Sequence, residues 1–231
     1  MRIAIISDIH GNLESLSALT EPYDELWVLG DLVNYGPDPG AVIDFVRSHA
    51  TVVVRGNHDH AVGFNRDPRC SPAYREMAKE TMQFTRSVLS SDQIEYLANL
   101  PLVVERTVED TRFVLCHAAP SDPLFQYVPA NSPQWEQEMG LVSADFLLVG
   151  HTHTPFVRPA GLSIVVNPGS LGQPKTGATK ACYAIWENGI VLHSAGYELE
   201  RTLAKIDAMP VSAGVRESLK AVLRTGGLST A

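Results

Sequence analysis

Five times along this chain an apolar, β-rich run breaks off into a residue that can bind a metal ion. Ile3-Ala4-Ile5-Ile6 runs into Ser7-Asp8-Ile9-His10, and Leu26-Trp27-Val28-Leu29 runs into Gly30-Asp31. Residues 51–54 run into Arg55-Gly56-Asn57-His58-Asp59, the run ending at Leu115 into Cys116-His117, and the run ending at Val149 into Gly150-His151-Thr152-His153. Helix-like stretches at residues 12–19 and 41–48, the latter behind Pro39-Gly40, separate the first three runs. Parallel strands need such crossovers, so the alternation predicts βαβ units and a mainly parallel sheet. In α/β sheets the carboxyl ends of the strands share one edge, where ligands bind. Five loops therefore deliver their side chains to one place.

Residues 64–100 break the alternation. Met77, Met82, Phe84, Val88 and Leu89, then Ile94 and Leu97, predict two helices with no strand between them, with Ser91-Asp92 as the cap of the second. Strands return at residues 102–107, 112–115, 146–149, 156–158, 162–166, 181–186 and 190–193, with hairpin turns at Glu109-Asp110 and Asn188-Gly189. A terminal helix is expected over residues 215–223. The expected architecture is two packed sheets with helices outside, in a single domain over 1–231 with a helical insertion at about 64–100.

Composition narrows the function classes. A chain of 231 residues with 45% hydrophobic and 19% charged residues is globular, not disordered. Its net charge of −8 argues against a broad nucleic-acid-binding surface. Cys70, Cys116 and Cys182 are far apart, which implies neither a disulfide framework nor a thiolate zinc site and fits a reducing compartment. Met1-Arg2 precedes only four apolar residues, too few for a signal-peptide core, and no run approaches the roughly 20 apolar residues of a membrane helix. A cytoplasmic location without membrane association is the expectation; a homo-oligomer is left open.

The side chains that converge are Asp8, His10, Asp31, Asn57, His117, His151 and His153, with His58 and Asp59 beside them. Two carboxylates, four imidazoles and an amide oxygen exceed what one four- to six-coordinate ion needs. They suit two divalent ions that share a carboxylate, each of whose oxygens can face a different ion. Nitrogen and oxygen donors without thiolate favour Mn²⁺, Fe or Zn²⁺ over Ca²⁺ or a structural zinc. Gly30, Gly56 and Gly150 each precede a candidate ligand, as tight turns at a crowded site require. Alone, a D-x-H or a Gly-Asp is usually a turn; the specificity lies in their order and their place at strand ends.

The set Asp8-x-His10, Gly30-Asp31, Gly56-Asn57-His58-Asp59, His117 and Gly150-His151-x-His153 resembles the calcineurin-like metallophosphoesterase superfamily. The likeness implies a four-layer α-β-β-α sandwich of two mixed sheets around a binuclear metal centre. It implies one ion at Asp8, His10 and His153, a second at Asn57, His117 and His151, and Asp31 between them. It also implies that His58 protonates the leaving group and that Asp59 orients His58. Two ions about 3.5–4 Å apart would lower the pKa of a water between them and offset charge on the phosphoryl group.

Ser/Thr protein phosphatases follow the bridging aspartate with an aspartate-arginine-glycine turn; here the stretch is Val33-Asn34-Tyr35-Gly36-Pro37, without the arginine. The short chain, the run Gly30-Asp31-Leu32-Val33-Asn34-Tyr35-Gly36-Pro37-Asp38-Pro39 and Asn167-Pro168-Gly169-Ser170 are similar to small prokaryotic members that resemble broad-range phosphodiesterases. The expected activity is therefore metal-dependent hydrolysis of a small phosphodiester, with Mn²⁺ as the expected ion and Fe, Zn²⁺ or Ni²⁺ as alternatives. Phosphomonoesterase activity (on nucleotides or proteins) and a non-catalytic metal-binding scaffold, as in a retromer subunit of this architecture, are the alternatives. His58 argues against the scaffold. Arg55, Lys175 and Lys180 are expected on the solvated surface, and residues 118–133, with Asp122, Phe125 and Tyr127, at the pocket border.

Overall fold

The computed structural model describes residues 1–227. Strands β1 (Ile3–Ile6), β2 (Glu25–Val28) and β3 (Val52–Val53) run parallel. The second sheet contains β4 (Val103–Val108), β5 (Thr111–Cys116), β6 (Phe146–Leu148), β7 (Phe156–Ala160) and β8 (Ser163–Asn167). Its order is β4-β5-β6-β8-β7, with β5, β6 and β8 parallel and β4 and β7 antiparallel at the edges. Strands β9 (Ala181–Trp186) and β10 (Ile190–Ala195) return to the first sheet and extend it antiparallel beyond β1, in the order β10-β9-β1-β2-β3.

The alternation of side chains along the strands explains the layering. Ile3, Ile5, Trp27 and Leu29 from the first sheet meet Phe113, Leu115, Leu148 and Val166 from the second, forming the core between the sheets. Ala4, Ile6, Leu26 and Val28 point the other way, toward α1 (Pro39–His49) and α4 (Ser91–Asn99) through Val42, Ile43, Val46 and Leu97. Trp135 and Met139 of α5 (Gln134–Met139) cover Val114, Leu147 and Val165 on the outer face of the second sheet. Both faces of each sheet are buried, which is why central strands read as unbroken apolar runs. The four-layer arrangement and two mixed sheets are as expected. No helix of the described residues is long and apolar enough to cross a membrane.

The helical region departs from expectation in its details. After α2 (Asn57–Phe64), the expected pair is α3 (Arg75–Val88) and α4. The cap of α4 is Ser90, not Ser91-Asp92: Ser90 Oγ accepts from the amide of Gln93, whose side chain returns to the Ser90 amide. Gln93 also donates to Gly40 O and Asp44 Oδ1 of α1, seating α4 beside the first sheet. Met77 and Ala78 of α3 pack instead with α6 (Leu199–Asp207) and α7 (Ala213–Thr225), in a cluster that reaches Tyr35. The helices α2, α5 and α6 have no counterpart in the sequence expectation. The first begins inside a ligand motif, where the polar residues mask any apolar stripe.

Candidate metal centre

The carboxyl ends of β1, β2, β3, β5 and β6 bring Asp8, His10, Asp31, Asn57, His117, His151 and His153 together, all but His151 buried. The backbone there is unusual. Asp8, His10, Asp31, His151 and His153 all have left-handed φ, between 50° and 65°. Such conformations are costly for residues with side chains and collect at functional sites. The loops are tied to one another: the amides of Asp8 and His10 donate to Gly30 O and Asp31 O, both at 3.0 Å. Ser170 Oγ donates to Asp8 O at 2.7 Å, and Asn167 Nδ2 to Gly150 O at 2.6 Å, giving the Asn167–Ser170 run a supporting role. At Gly56 and Gly150 a Cβ would strike Asp31 Oδ1 and Ser7 Oγ respectively.

The hydrogen bonds of the imidazoles decide which nitrogens face inward. His10 Nδ1 donates to Val33 O (3.0 Å), His153 Nδ1 to Gln173 O (2.6 Å) and His117 Nδ1 to Leu29 O (2.7 Å). Each Nε2 then presents a lone pair to the centre. His10 Nε2 and His153 Nε2 lie 3.2 Å apart, and Asp8 Oδ1 lies 3.2 Å from the latter. Asp8 Oδ1 is buried without a hydrogen-bond partner. A few ångströms away, Asn57 Nδ2 donates to Pro68 O at 2.7 Å, turning Oδ1 to His117 Nε2 at 3.0 Å and His151 Nδ1 at 3.1 Å. Acceptors crowded together in this way are unfavourable unless a proton or a cation lies between them.

Asp31 joins the two groups, by a route different from the expected one. Its Oδ1 accepts from the His58 amide at 2.8 Å, at the free N-terminal turn of α2. Only Oδ2 turns to the centre, 3.7 Å from His10 Nε2 and 3.3 Å from His117 Nε2. The expected arrangement has one oxygen on each side; here Oδ2 is the oxygen that lies near both His10 and His117. Buried acid groups of the sets Asp8/His10/His153 and Asp8/Asp31/His117 have ligand atoms within 4.8 Å of one another, as a metal ion requires.

Electrostatics give the same picture. Burial disfavours charge on His117, but Asp31 outweighs it and raises the imidazole to about 9. Burial, then the neighbouring His117, pushes His151 down to about 3. Burial would raise Asp31, yet His117 and His58 hold it well below the ordinary carboxylate range. The cluster thus draws positive charge to its middle, and the donor set suits two divalent cations there.

His58 lies beside this centre, buried, its ring against Tyr35 and edge-on to His10. Asp59 does not orient it. The Asp59 carboxylate accepts from the amides of Asp31 (2.8 Å), Leu32 (2.8 Å) and Gly56 (3.0 Å), so it fixes the Asp31 loop and closes the N-terminus of α2. Burial and the nearby Asp31 raise it to about 6. The residue that contacts His58 Nδ1 is Asn34, through Nδ2 at 2.8 Å. On the other side of the ring, Cys70 Sγ lies 3.4 Å from Nε2 and 3.3 Å from the Tyr35 hydroxyl. Burial depresses the His58 pKa, but Cys70 and Asp31 more than offset it and hold it above the ordinary value.

A cavity of about 320 Å³ opens over the centre, lined by Asp31, Asn57, His58, His151 and His153 at its floor. Arg69, Cys70, Tyr74, Phe125, Tyr127 and Lys175 form its walls. Phe125 and Tyr127 border the pocket as expected, whereas Asp122 caps its own loop by accepting from the Leu124 and Phe125 amides. Lys175 is a correction: it lines the cavity, with Nζ 4.7 Å from the centre of the Tyr74 ring. Arg55 instead donates to Ala98 O and lies over Phe64, and Lys180 is exposed. Asn34 and Cys70 lie outside the strand-end pattern. The one local hint at Asn34 is its left-handed φ of 70°, which asparagine tolerates better than most residues.

The profile of the calcineurin-like phosphoesterase superfamily domain matches residues 1–188, so the chain belongs to that superfamily. Among its relatives, the uncharacterized protein MJ0912 of Methanocaldococcus jannaschii is 28% identical over 228 residues, covering 88% of this chain and 91% of its own. A symmetrical bis(5′-nucleosyl)-tetraphosphatase of Vibrio parahaemolyticus is 32% identical over 152 residues, or 60% of this chain. The chain spans about half the length (48%) of that relative. Among solved structures, a metallophosphoesterase from Sphaerobacter thermophilus superposes with a TM-score of 0.79 at 28% identity, covering 96% of this chain and 98% of its own. The hypothetical protein PH1004 from Pyrococcus horikoshii shares the fold, with a TM-score of 0.84 at 22% identity over 99% of both chains.

Proposed function

We propose that this chain is a binuclear metal-dependent phosphoesterase, that Mn²⁺ is its preferred ion, and that it attacks a doubly substituted phosphoryl group in preference to a monoester. The observation that carries the reading is Asp31 Oδ2, 3.7 Å from His10 Nε2 on one side and 3.3 Å from His117 Nε2 on the other. Asp8, His10 and His153 would hold one ion, and Asn57, His117 and His151 the second, with Asp31 shared. Bound there, the ions would supply Lewis acidity and a water of lowered pKa.

The chain's own residues do the rest. His58 Nε2 faces the cavity at the point where Cys70 Sγ now sits, within reach of a leaving-group oxygen. Asn34 suits either charge state of the ring: Nδ2 donates to the neutral imidazole, and the amide turned over accepts from Nδ1–H of the imidazolium. The preference for a doubly substituted phosphoryl group draws on the relatives. The tetraphosphatase relatives act within a polyphosphate chain by their name, and an internal phosphoryl of that chain has the same substitution.

Steady-state hydrolysis of bis-p-nitrophenyl phosphate and p-nitrophenyl phosphate by the Mn²⁺-supplemented protein tests the reading. The diester should have the higher kcat/KM, and His58→Ala should lower turnover by about 10²–10⁴-fold while retaining the ions. Absence of hydrolysis with two ions bound, or loss of an ion in His58→Ala, counts against it.

A further inference from the structure

The cavity over the metal centre continues past Arg69 and Phe125. These two residues also line a second groove, of about 500 Å³, whose other walls are His60, Arg66 and Asp67. Where the two spaces meet, the Arg69 guanidinium lies 4.3 Å from the centre of the Phe125 ring. Left-handed turns at Asn65 (φ 52°) and Arg69 (φ 57°) shape the loop that carries both arginines.

Along the path from Lys175 past Arg69 to Arg66, three cations stand against the single carboxylate of Asp67. Arg66, Arg69 and Lys175 make no ion pair among the described residues; Arg69 and Lys175 rest on aromatic rings instead. Asp67, the acidic residue of the lining, uses Oδ1 to accept from the Arg69 amide at 2.7 Å. His60 Nδ1 is buried with no partner. In a chain of net charge −8, a path of three unpaired cations leading away from a phosphoryl-binding centre is a local exception, and such exceptions concentrate anions.

We propose that this groove continues the substrate path and binds the distal phosphates of a linear polyphosphate ester, so that the substrate class is a nucleoside polyphosphate and not a simple alkyl diester. The inference rests on the phosphoesterase reading above. An internal phosphoryl group lies over the metal centre beside Lys175, and the chain runs outward past Arg69 to Arg66. Water adds to that phosphorus, the P–O bond to the departing phosphate breaks, and the departing oxygen leaves as phosphate, with His58 able to supply a proton.

The test compares kcat/KM for adenosine 5′-tetraphosphate and bis-p-nitrophenyl phosphate in wild type, Arg66→Ala and Arg66→Glu, with free Mn²⁺ held constant. Arg66 is exposed, so both variants should fold. In Arg66→Ala the ratio of tetraphosphate to diester kcat/KM should fall about tenfold, mainly through KM, as one charge-assisted contact is lost. Arg66→Glu should lower it further. An unchanged ratio in both variants overturns the groove. So does a wild-type protein that cleaves the diester but neither cleaves nor is inhibited by the tetraphosphate, an outcome that leaves the phosphodiesterase reading standing. Inertness toward every substrate with both ions bound defeats that reading and the groove with it.

Discussion

The floor and the walls of the cavity are built in different ways. The floor consists of residues at the ends of parallel strands, held by backbone hydrogen bonds between adjacent loops and by left-handed turns at five ligand-type residues. The walls come from the 65–74 loop, from residues 118–133 and from Lys175, and their contacts are side-chain ones: Arg69 on Phe125, Lys175 on Tyr74, Cys70 on His58 and Tyr35. A floor fixed by the sheet can hold ligands to a few tenths of an ångström, whereas walls of half-buried and exposed side chains can change without disturbing it. On the proposed function, chemistry falls to the floor and selectivity to the walls.

The largest effect should come from the floor's one shared residue. Asp31→Asn keeps the shape but removes the charge between the two groups. Both ions should bind more weakly, and turnover should drop on the order of 10³-fold or more, since the metals supply several kcal/mol of charge stabilisation. Elemental analysis and kinetics after dialysis read this out. Retention of two ions at wild-type affinity would break the claim that Asp31 is shared between them.

An intermediate effect separates Asp59 from Asn34. Asp59→Asn should loosen the Asp31 loop, costing about 10–100-fold in metal affinity and about 1–3 kcal/mol of stability, because a buried amide would then face backbone N–H donors. Asn34→Ala should leave metal affinity in place and lower kcat by roughly tenfold, most for substrates with poor leaving groups. Metal titration and a leaving-group series distinguish the two. The reverse pattern would restore Asp59 as the partner of His58.

The smallest effect belongs to the walls. Cys70→Ala removes the half-buried sulfur that faces His58 Nε2 but leaves the ring's contact with Asn34, so turnover of bis-p-nitrophenyl phosphate should change by no more than about threefold. A loss near that of His58→Ala would move Cys70 from wall to floor.

Much of the floor was legible because its signal is local. A run such as Ile3–Ile6 reads as a buried strand, and the residue just beyond it, Asp8, falls at the strand's carboxyl end whatever the rest of the chain does. The partner of His58 was not legible. Asp59 is its neighbour in sequence, but as the third residue of α2 it turns back to the Gly56 amide, and the contact falls to Asn34 from the loop after β2. Adjacency in the chain is poor evidence of contact once a helix sets the direction of each side chain.

By itself the sequence determined the succession of strands and crossovers along the chain, the burial of the central strands and the pool of ligand-type residues at one edge. Unbroken apolar runs and strand-end polar residues are properties of a short stretch of chain. The tertiary structure alone decided that Asp31 offers one oxygen and not two, that Asn34 holds His58, and that Lys175 and Arg69 face the cavity. Each of these depends on residues distant in sequence, Asp31 with His58 and Lys175 with Tyr74, whose approach is set by how the two sheets and the helices pack. No spacing along the chain encodes that approach.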